Sequence, residues 1–234
     1  FLGREAKTDG VDSLTADSYA VHSTINPQLQ RQAESALQDG LARYEIANGR
    51  MQFRGPEANI ATAVTKLSTA KPIGPPSTMP AWQQALQTVR LPLYDVHWTP
   101  AAVLDKGGKR GDGAIRVGLP DGRIVPLTTY TSAIRRALSL YDVIYVEVVE
   151  GRAPPANSRG RTKSAPARAE IRVRPTVQGA VLALDNKTGR ILAMVGGFSY
   201  PLSQLNRTWQ TERQPGSAIK PITYLTALQK GLQP

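Results

Sequence analysis

The 234-residue chain has no cysteine, which excludes disulfide frameworks and thiolate metal sites and leaves its redox compartment unmarked. Histidine is nearly as scarce. His22 and His97 are the only two, and neither has ligand spacing around it, so a histidine-built metal site is not expected. His22 stands beside Val21 in a strand-like run and reads as a structural histidine. No apolar run reaches membrane-spanning length, so no signal segment or anchor is visible. Acidic residues are the minority, 18 against 29 lysines and arginines, for a formal charge of +11. That excess favours an anionic partner (nucleic acid, a membrane surface or an anionic polymer) without choosing among them. Enough apolar material remains for a core, 41% of residues, in a length that suits one large domain or two small ones.

The chain opens on Phe1 and closes on "YLTALQKGLQP", an amphipathic pattern barely completed at the last residue. The expectation is a piece of a larger protein. Residues 1–18 are polar and aperiodic, a surface loop, and "YAVHSTI" alternates like a strand. Asn26-Pro27 is a helix start, and Leu29, Ala33, Leu37, Leu41 and Tyr44 form a stripe that ends near Asn48-Gly49. "STAKPIGPPSTMP", 68–80, is too rich in Pro, Ser and Thr for a regular element and reads as a linker; "PAWQQALQTVR" is a short helix.

Residues 91–175 change character. "LYDVHWTPAAVLDK", "GAIRVGL", "GRIVPL", "DVIYVEVVE" and "AEIRVRP" are short runs rich in β-branched and aromatic residues, with one helical insertion, "SAIRRALSL". Turn signals at Gly107-Gly108, Pro120-Asp121-Gly122 and Tyr141-Asp142 separate them. A small barrel of OB-like topology fits. Within it "GRAPPANSRGRTKSAPAR" carries Arg152, Arg159, Arg161, Lys163 and Arg168 and no acid. It reads as a solvated hairpin loop, with contact to an anionic partner as the functional alternative. Strands Ala180–Leu184 and Arg190–Val195 then flank a turn of hairpin composition, Asp185 to Gly189, and an irregular stretch leads to "RQPGSAIKP".

That last stretch contains Ser217 and Lys220 at Ser-x-x-Lys spacing. Gly216 permits a sharp turn, Ser217 is a good N-cap, and Lys220 and Pro221 fall in the first turn of the helix it would start. A serine hydroxyl becomes a useful nucleophile when a neighbouring base takes its proton, and a partly desolvated lysine can be that base. A helix N-terminus would favour the oxyanion that develops. Taken alone, the spacing is more commonly an N-cap with a surface lysine.

The flanks add context. "GAVLALDNKTGRILAMVGGFSY…LNRTWQTERQPGSAIKPITYLTAL" resembles the start of the transpeptidase domain of class A (bifunctional) penicillin-binding proteins, in which an "AMVGG"-like strand precedes an "NR" element and then "QPGSxxKP". "VHSTINPQLQRQAESAL" looks like that family's connector, and 91–175 resembles its OB-like insertion. The resemblance implies an α+β fold: a small OB-like β-barrel inserted beside an incomplete penicillin-binding transpeptidase (serine β-lactamase-like) domain. The expected divisions are a connector at 1–90, the OB-like domain at 91–175 and the N-terminal part of the transpeptidase domain at 176–234. Ser217 becomes the acylated nucleophile and Lys220 its proton-transfer partner, acting on the D-Ala-D-Ala bond of peptidoglycan stem peptides and trapped by β-lactams. The resemblance further implies a periplasmic-facing enzyme of the inner membrane, without cofactor, with cell-wall synthesis regulators as candidate partners of the OB-like domain and no nucleic acid.

A Lys-Thr-Gly does occur, at Lys187-Thr188-Gly189, but it precedes the serine in a hairpin turn and reads as turn chemistry. The family's late Lys-Thr-Gly, its Ser-x-Asn motif and the glycosyltransferase domain are absent from these residues, so the chain by itself is expected not to complete catalysis. Two rival readings stand beside this one. A nucleic-acid-binding OB module would use the charge and Tyr94, Trp98, Tyr130 and Tyr145, although aromatics at strand positions usually pack in the barrel. A β-lactamase-type hydrolase is disfavoured by the long upstream region.

Overall fold

Asn26 caps the first long helix, α1 (Pro27–Ala47), by accepting the amides of Gln28 and Leu29, each at 3.0 Å, with Pro27 in the first turn as expected. The computed structural model describes residues 7–8, 10, 22–69, 78–107, 113–151 and 166–233. The face that α1 buries holds Ala33, Leu37 and Ala42, but also Gln38 and Glu45, whereas Tyr44 of the expected stripe is 51% exposed.

Residues 22–26 are not a strand. They are irregular and tied alongside strand β8 (Ile191–Val195) by Thr24 Oγ1 to the Ile191 carbonyl and the Asn26 amide to the Leu192 carbonyl. Residues 19–21 of that expected strand lie outside the described residues, and His22 is exposed rather than packed. After α1 come a two-residue strand, β1 (Ala58–Asn59), and a helix the sequence reading missed, α2 (Ala61–Thr69). Ser68 and Thr69, expected in the linker, end α2 with their hydroxyls bonded to the Val64 and Thr65 carbonyls. Residues 70–77 of that linker lie outside the described residues. Helix α3 (Ala81–Thr88) follows where "PAWQQALQTVR" was read.

Five strands then close on themselves: β2 (Thr99–Asp105), β3 (Ile115–Gly118), β4 (Ile124–Thr128), β5 (Asp142–Val149) and β6 (Arg168–Arg172). The pairs β2–β3, β3–β4, β2–β5 and β5–β6 are antiparallel and β4–β6 is parallel, so the ring runs β2-β3-β4-β6-β5 and back to β2. Alternation at period two points Ala101, Val103, Val117, Ile144, Val146 and Ile171 inward, and α4 (Ser132–Ala137), capped by Thr131, adds Ile134 to this core. The strands sit where the β-branched runs were read. The Pro120-Asp121-Gly122 signal is a tight turn with Gly122 at φ +90°. The basic run that starts at Arg152 lies outside the described residues as far as residue 165.

The barrel's outer surface is also packed. Ala102 and Val143 meet Ile60, Val64, Ala85 and Leu86 of the α2 and α3 side, and the Trp82 ring lies against Gly118 so closely that a Cβ there would overlap it. Trp98 and Tyr145 pack outside the barrel rather than within it. Their rings sit 6.2 Å apart edge-on, and Trp98 also lies 5.3 Å from Phe198. Burial, together with the charge of Asp95, pushes the Tyr145 phenol above its ordinary pKa. This cluster, with Ala42 of α1, joins the barrel to the last part of the chain. That part is the antiparallel hairpin β7 (Val181–Leu184) and β8, which rests Ala193 and Val195 on Ala33 and Leu37, followed by α5 (Lys220–Gln229). Among the described residues no helix is long and apolar enough to cross a membrane.

Candidate functional site

The route to Ser217 starts at the β7–β8 turn. Asp185 Oδ1 accepts the amides of Lys187 at 2.8 Å and Thr188 at 3.3 Å, and Gly189 takes φ +71°. These two amides hold the Asp185 carboxyl below its ordinary pKa. Lys187-Thr188-Gly189 is thus turn structure, with all three residues exposed.

Beyond β8 the chain reaches Gly196-Gly197 and bends back so that Asn206-Arg207 lies against them. The Arg207 amide donates to the Gly196 carbonyl at 3.1 Å, and the Arg207 guanidinium reaches the Gly196 and Leu205 carbonyls and the Ser203 hydroxyl. Asn206 Oδ1 accepts from the amide and hydroxyl of Thr208, while its Nδ2 donates to Met194 Sδ at 3.2 Å. A Cβ on Gly196 would meet the Asn206 backbone, and one on Gly197 would lie 2.9 Å from Arg207 Nη1. Two glycines and an Asn-Arg pair therefore form one clasp, which the "AMVGG…NR" pattern had marked without its physical reason. Thr211 Oγ1 donates to the Arg207 carbonyl and is the last tie before the serine.

Gly216 has φ +52°, a backbone state that L residues with side chains rarely adopt, and nothing lies within 4 Å of where its Cβ would be. Ser217 follows inside a 3₁₀ turn, Gly216–Ile219, so it is not the N-cap of the helix. Helix α5 begins at Lys220, with Ile219 before it and Pro221 in the first turn. The Lys220 amide donates to the Ser217 carbonyl, and a 3₁₀ turn brings residues i and i+3 into line, so the two residues share one edge of the chain. Both are exposed, and among the described residues neither side chain makes a hydrogen bond. The partial desolvation expected for Lys220 is not supplied by the described residues.

The helix they open is apolar on several sides yet uncovered: Ile222, Tyr224, Leu225 and Leu228 are each more than half exposed, and none of its residues is buried. Two cavities lie elsewhere. One, of about 280 Å³, is between α1 and the clasp and includes Glu34, Asp95 and Asn206. The other, of about 190 Å³, is between residues 52–57 and the outer face of β5 and β6, with Arg54, Arg172 and Arg174 in its wall. Neither borders Ser217 or Lys220.

Residues 179–234 match the family model described as the penicillin-binding protein transpeptidase domain. The chain is 30% identical over 220 residues, 91% of its length, to penicillin-binding protein 1A of Rickettsia typhi. It is 32% identical over 228 residues, 95% of its length, to penicillin-binding protein 1A of Neisseria gonorrhoeae. This chain belongs to the class A penicillin-binding proteins. It spans about a quarter of the length of these curated relatives, 23% and 25%. A crystal structure of penicillin-binding protein 1A from Haemophilus influenzae aligns with a TM-score of 0.56 at 23% identity, covering 99% of this chain and 30% of that one, and shows the fold. Ser217, Lys220 and the clasp residues of this penicillin-binding protein all fall inside the matched transpeptidase segment.

Three polar residues that hold this arrangement escaped the sequence reading. Gln38, 2% exposed, donates to the Asp95 carbonyl at 2.8 Å and the Phe198 carbonyl at 3.1 Å and accepts the His97 amide at 2.9 Å. Glu45, 1% exposed, accepts the amides of Thr176 and Val177 and the Thr176 hydroxyl. Asp95 accepts the Ser199 hydroxyl and the Tyr200 amide, each at 2.7 Å. In sequence Gln38 and Glu45 belong to a polar helix face; their partners lie 57 to 160 and 131 to 132 positions away, where no local signal reaches.

Proposed function

We propose that this chain is part of a peptidoglycan synthase and that Ser217 is the serine it acylates. The observation that carries the reading is the turn Gly216 to Lys220, which sets serine and lysine in line at the start of a helix inside the matched transpeptidase segment. Ser217 Oγ attacks the carbonyl of the penultimate D-Ala of a stem peptide while Lys220 Nζ takes the hydroxyl proton. The C–N bond breaks, and the terminal D-Ala leaves as an amine after receiving a proton. The amine of a second stem then attacks the ester, giving the cross-link and restoring the serine hydroxyl. A β-lactam follows the first half of this course and stops at the acyl-enzyme.

Two features fit the chain as one portion of such an enzyme. Helix α5 carries Ile222, Tyr224, Leu225 and Leu228 in the open, and a helix apolar on most sides is built for burial. The relatives are about four times as long, so the remaining transpeptidase residues would cover α5, supply the Ser-x-Asn and late Lys-Thr-Gly motifs and remove water from around Lys220. The described residues alone do not complete the reaction on this reading. The five-stranded ring, with one parallel pair and a helix between its third and fourth strands, supports an OB-like module at 91–175. Residues 1–90 then act as the connector and 176–234 as the start of the transpeptidase domain. The parent enzyme would also hold a glycosyltransferase domain and face the periplasm from the inner membrane, with stem peptides as substrates and cell-wall synthesis regulators as partners of the OB-like module. Burial of Trp98 and Tyr145 at the junction takes two of the four candidate aromatics away from base stacking.

The test is intact-mass analysis of the full-length protein carrying this sequence after exposure to benzylpenicillin. One penicilloyl adduct is expected in the wild type and none in Ser217→Ala; an adduct that persists in Ser217→Ala overturns the assignment.

A further inference from the structure

Asp95 lies in the segment between α3 and β2, three residues before the buried Trp98, and its side chain bonds outward to a different part of the molecule. Its backbone is fixed first. Gln38 of α1 donates to the Asp95 carbonyl and accepts the amide of His97, while the same Nε2 also reaches the Phe198 carbonyl. Trp98 adds a second anchor through its ring contacts with Tyr145 of β5 and with Phe198, and through Nε1 to Asp39 Oδ1 at 2.7 Å. The carboxylate held in this way accepts the Ser199 hydroxyl on one oxygen and the Tyr200 amide on the other.

Ser199 and Tyr200 begin the loop that ends at the serine. From Ser199 the ties continue without a gap: the Ser203 amide to the Ser199 carbonyl, the Arg207 guanidinium to the Ser203 hydroxyl, the Arg207 amide to the Gly196 carbonyl and the Thr211 hydroxyl to the Arg207 carbonyl. Only residues 212–216 separate the last of these from Ser217, and all are exposed. The loop 199–211 is therefore bonded to its own strand at Gly196 and to the barrel side of the molecule at Asp95. Without the Asp95 carboxylate, the Tyr200 amide and the buried Ser199 hydroxyl lose their acceptor and the loop loses its tie to the barrel side.

We propose that Asp95 is a positioning residue for acylation: by fixing residues 199–200 it sets the approach of the Ser217 turn. This rests on the assignment of Ser217 as the acylated serine. Asp95 touches no reacting atom, so it acts through the loop.

The experiment measures acylation of the full-length protein by a fluorescent penicillin, separating the fraction labelled from the first-order rate of labelling at saturation. Asp95→Ala is expected to retain the full labelled fraction while the rate falls by about tenfold or more, the scale expected when a reacting group is misplaced by a fraction of an ångström. Ser199→Ala, which removes one of the two bonds, is expected to slow labelling less, and the double variant to be no slower than Asp95→Ala, because both act through one contact. Asp95→Asn, which keeps one acceptor oxygen, is expected to recover part of the rate. Wild-type rate at full labelled fraction in Asp95→Ala overturns the proposal, and so does a reduced labelled fraction at unchanged rate, the mark of a merely structural role. If Asp95→Ala does not fold, Ser199→Ala decides: slower labelling supports the proposal and an unchanged rate overturns it. Ser217→Ala runs in parallel, and if it is still labelled, the serine assignment has failed rather than the role of Asp95.

Discussion

A Cβ built on Gly196 would lie 2.6 Å from the Cα of Asn206, closer than real Cβ atoms come to a backbone. The two chain segments meet without room for a methyl group, and Arg207 closes the contact by donating its amide to the Gly196 carbonyl. Gly196→Ala is therefore expected to push the loop off β8 and to destabilise the protein by roughly 1–3 kcal/mol, the usual cost of forcing atoms into a packed site. Urea denaturation gives the stability and labelling by a fluorescent penicillin gives the effect on the site. Wild-type values in both would show that the contact yields freely.

Gly216 presents the opposite case, because nothing surrounds it and only the backbone constrains it. At φ +52° an alanine costs about 1–2 kcal/mol, asparagine less and a β-branched residue more. If the turn has to hold this state while Ser217 reacts, that energy appears in the acylation rate, about 5- to 30-fold for alanine. The expected order of rates is glycine, asparagine, alanine, valine. A valine variant as fast as the wild type would mean that the turn relaxes before the chemistry.

Which parts of this were legible in the sequence follows from how local each signal is. Asn26-Pro27 announced α1 because a cap and a first-turn proline act within three residues. The barrel strands followed from runs of β-branched and aromatic residues between turn residues, although the runs were wider than the strands: β2 starts only at Thr99 in a run read from Leu93, and β6 ends at Arg172 in one read to Pro175. The β7–β8 hairpin was legible to within about a residue of its observed ends. Helix α2 went unread because its start depends on Asn59 accepting the Ala61 amide, and its composition, rich in threonine, resembles a loop. Ser217 reads as an N-cap because serine favours that role, whereas positive φ at Gly216 precedes a 3₁₀ turn, so that Ile219 takes the cap position and the helix starts at Lys220. Gln38, Glu45 and Asp95 were beyond reach for another reason. A polar residue on a helix or loop looks solvated until the distant groups that satisfy it are known, and here those groups come from the far end of the chain.

The Lys187-Thr188-Gly189 triplet offers a check on motif reading against structure. Asp185 collects the turn amides and Gly189 supplies the left-handed residue, while the Lys187 side chain is exposed and far removed in sequence from Ser217. Lys187→Ala should leave penicillin labelling within about twofold of the wild type, as exposed substitutions away from packing usually do. Asp185→Ala should loosen the hairpin, seen as faster amide exchange at Lys187 and Thr188. A large loss of labelling in Lys187→Ala would give the triplet a role in the chemistry after all.

Glu45 ties the end of α1 to residues 176–177, where the chain passes from the barrel to the hairpin. Burial pushes its carboxyl up, but the Thr176 hydroxyl and the Val177 and Thr176 amides, with the charge of Arg54 nearby, outweigh burial and leave its pKa below the ordinary glutamate value. Folding thus favours the ionised form. Its contribution is fully present above the unfolded carboxyl value and is lost as pH falls through the lower, folded one. Glu45→Ala removes the acceptor of three donors on the exposed Thr176 and the half-buried Val177, an acceptor that water can partly replace, and at neutral pH a loss of about 1–2 kcal/mol is expected, with Glu45→Gln losing less because one acceptor oxygen remains. The stability gap between wild type and Glu45→Gln should be flat from pH 8 down to about pH 5 and should narrow below about pH 4. Urea midpoints across that range measure it. A gap that widens towards acid would mean the carboxyl is held protonated in the folded state, and the junction would then be a neutral hydrogen-bonded one.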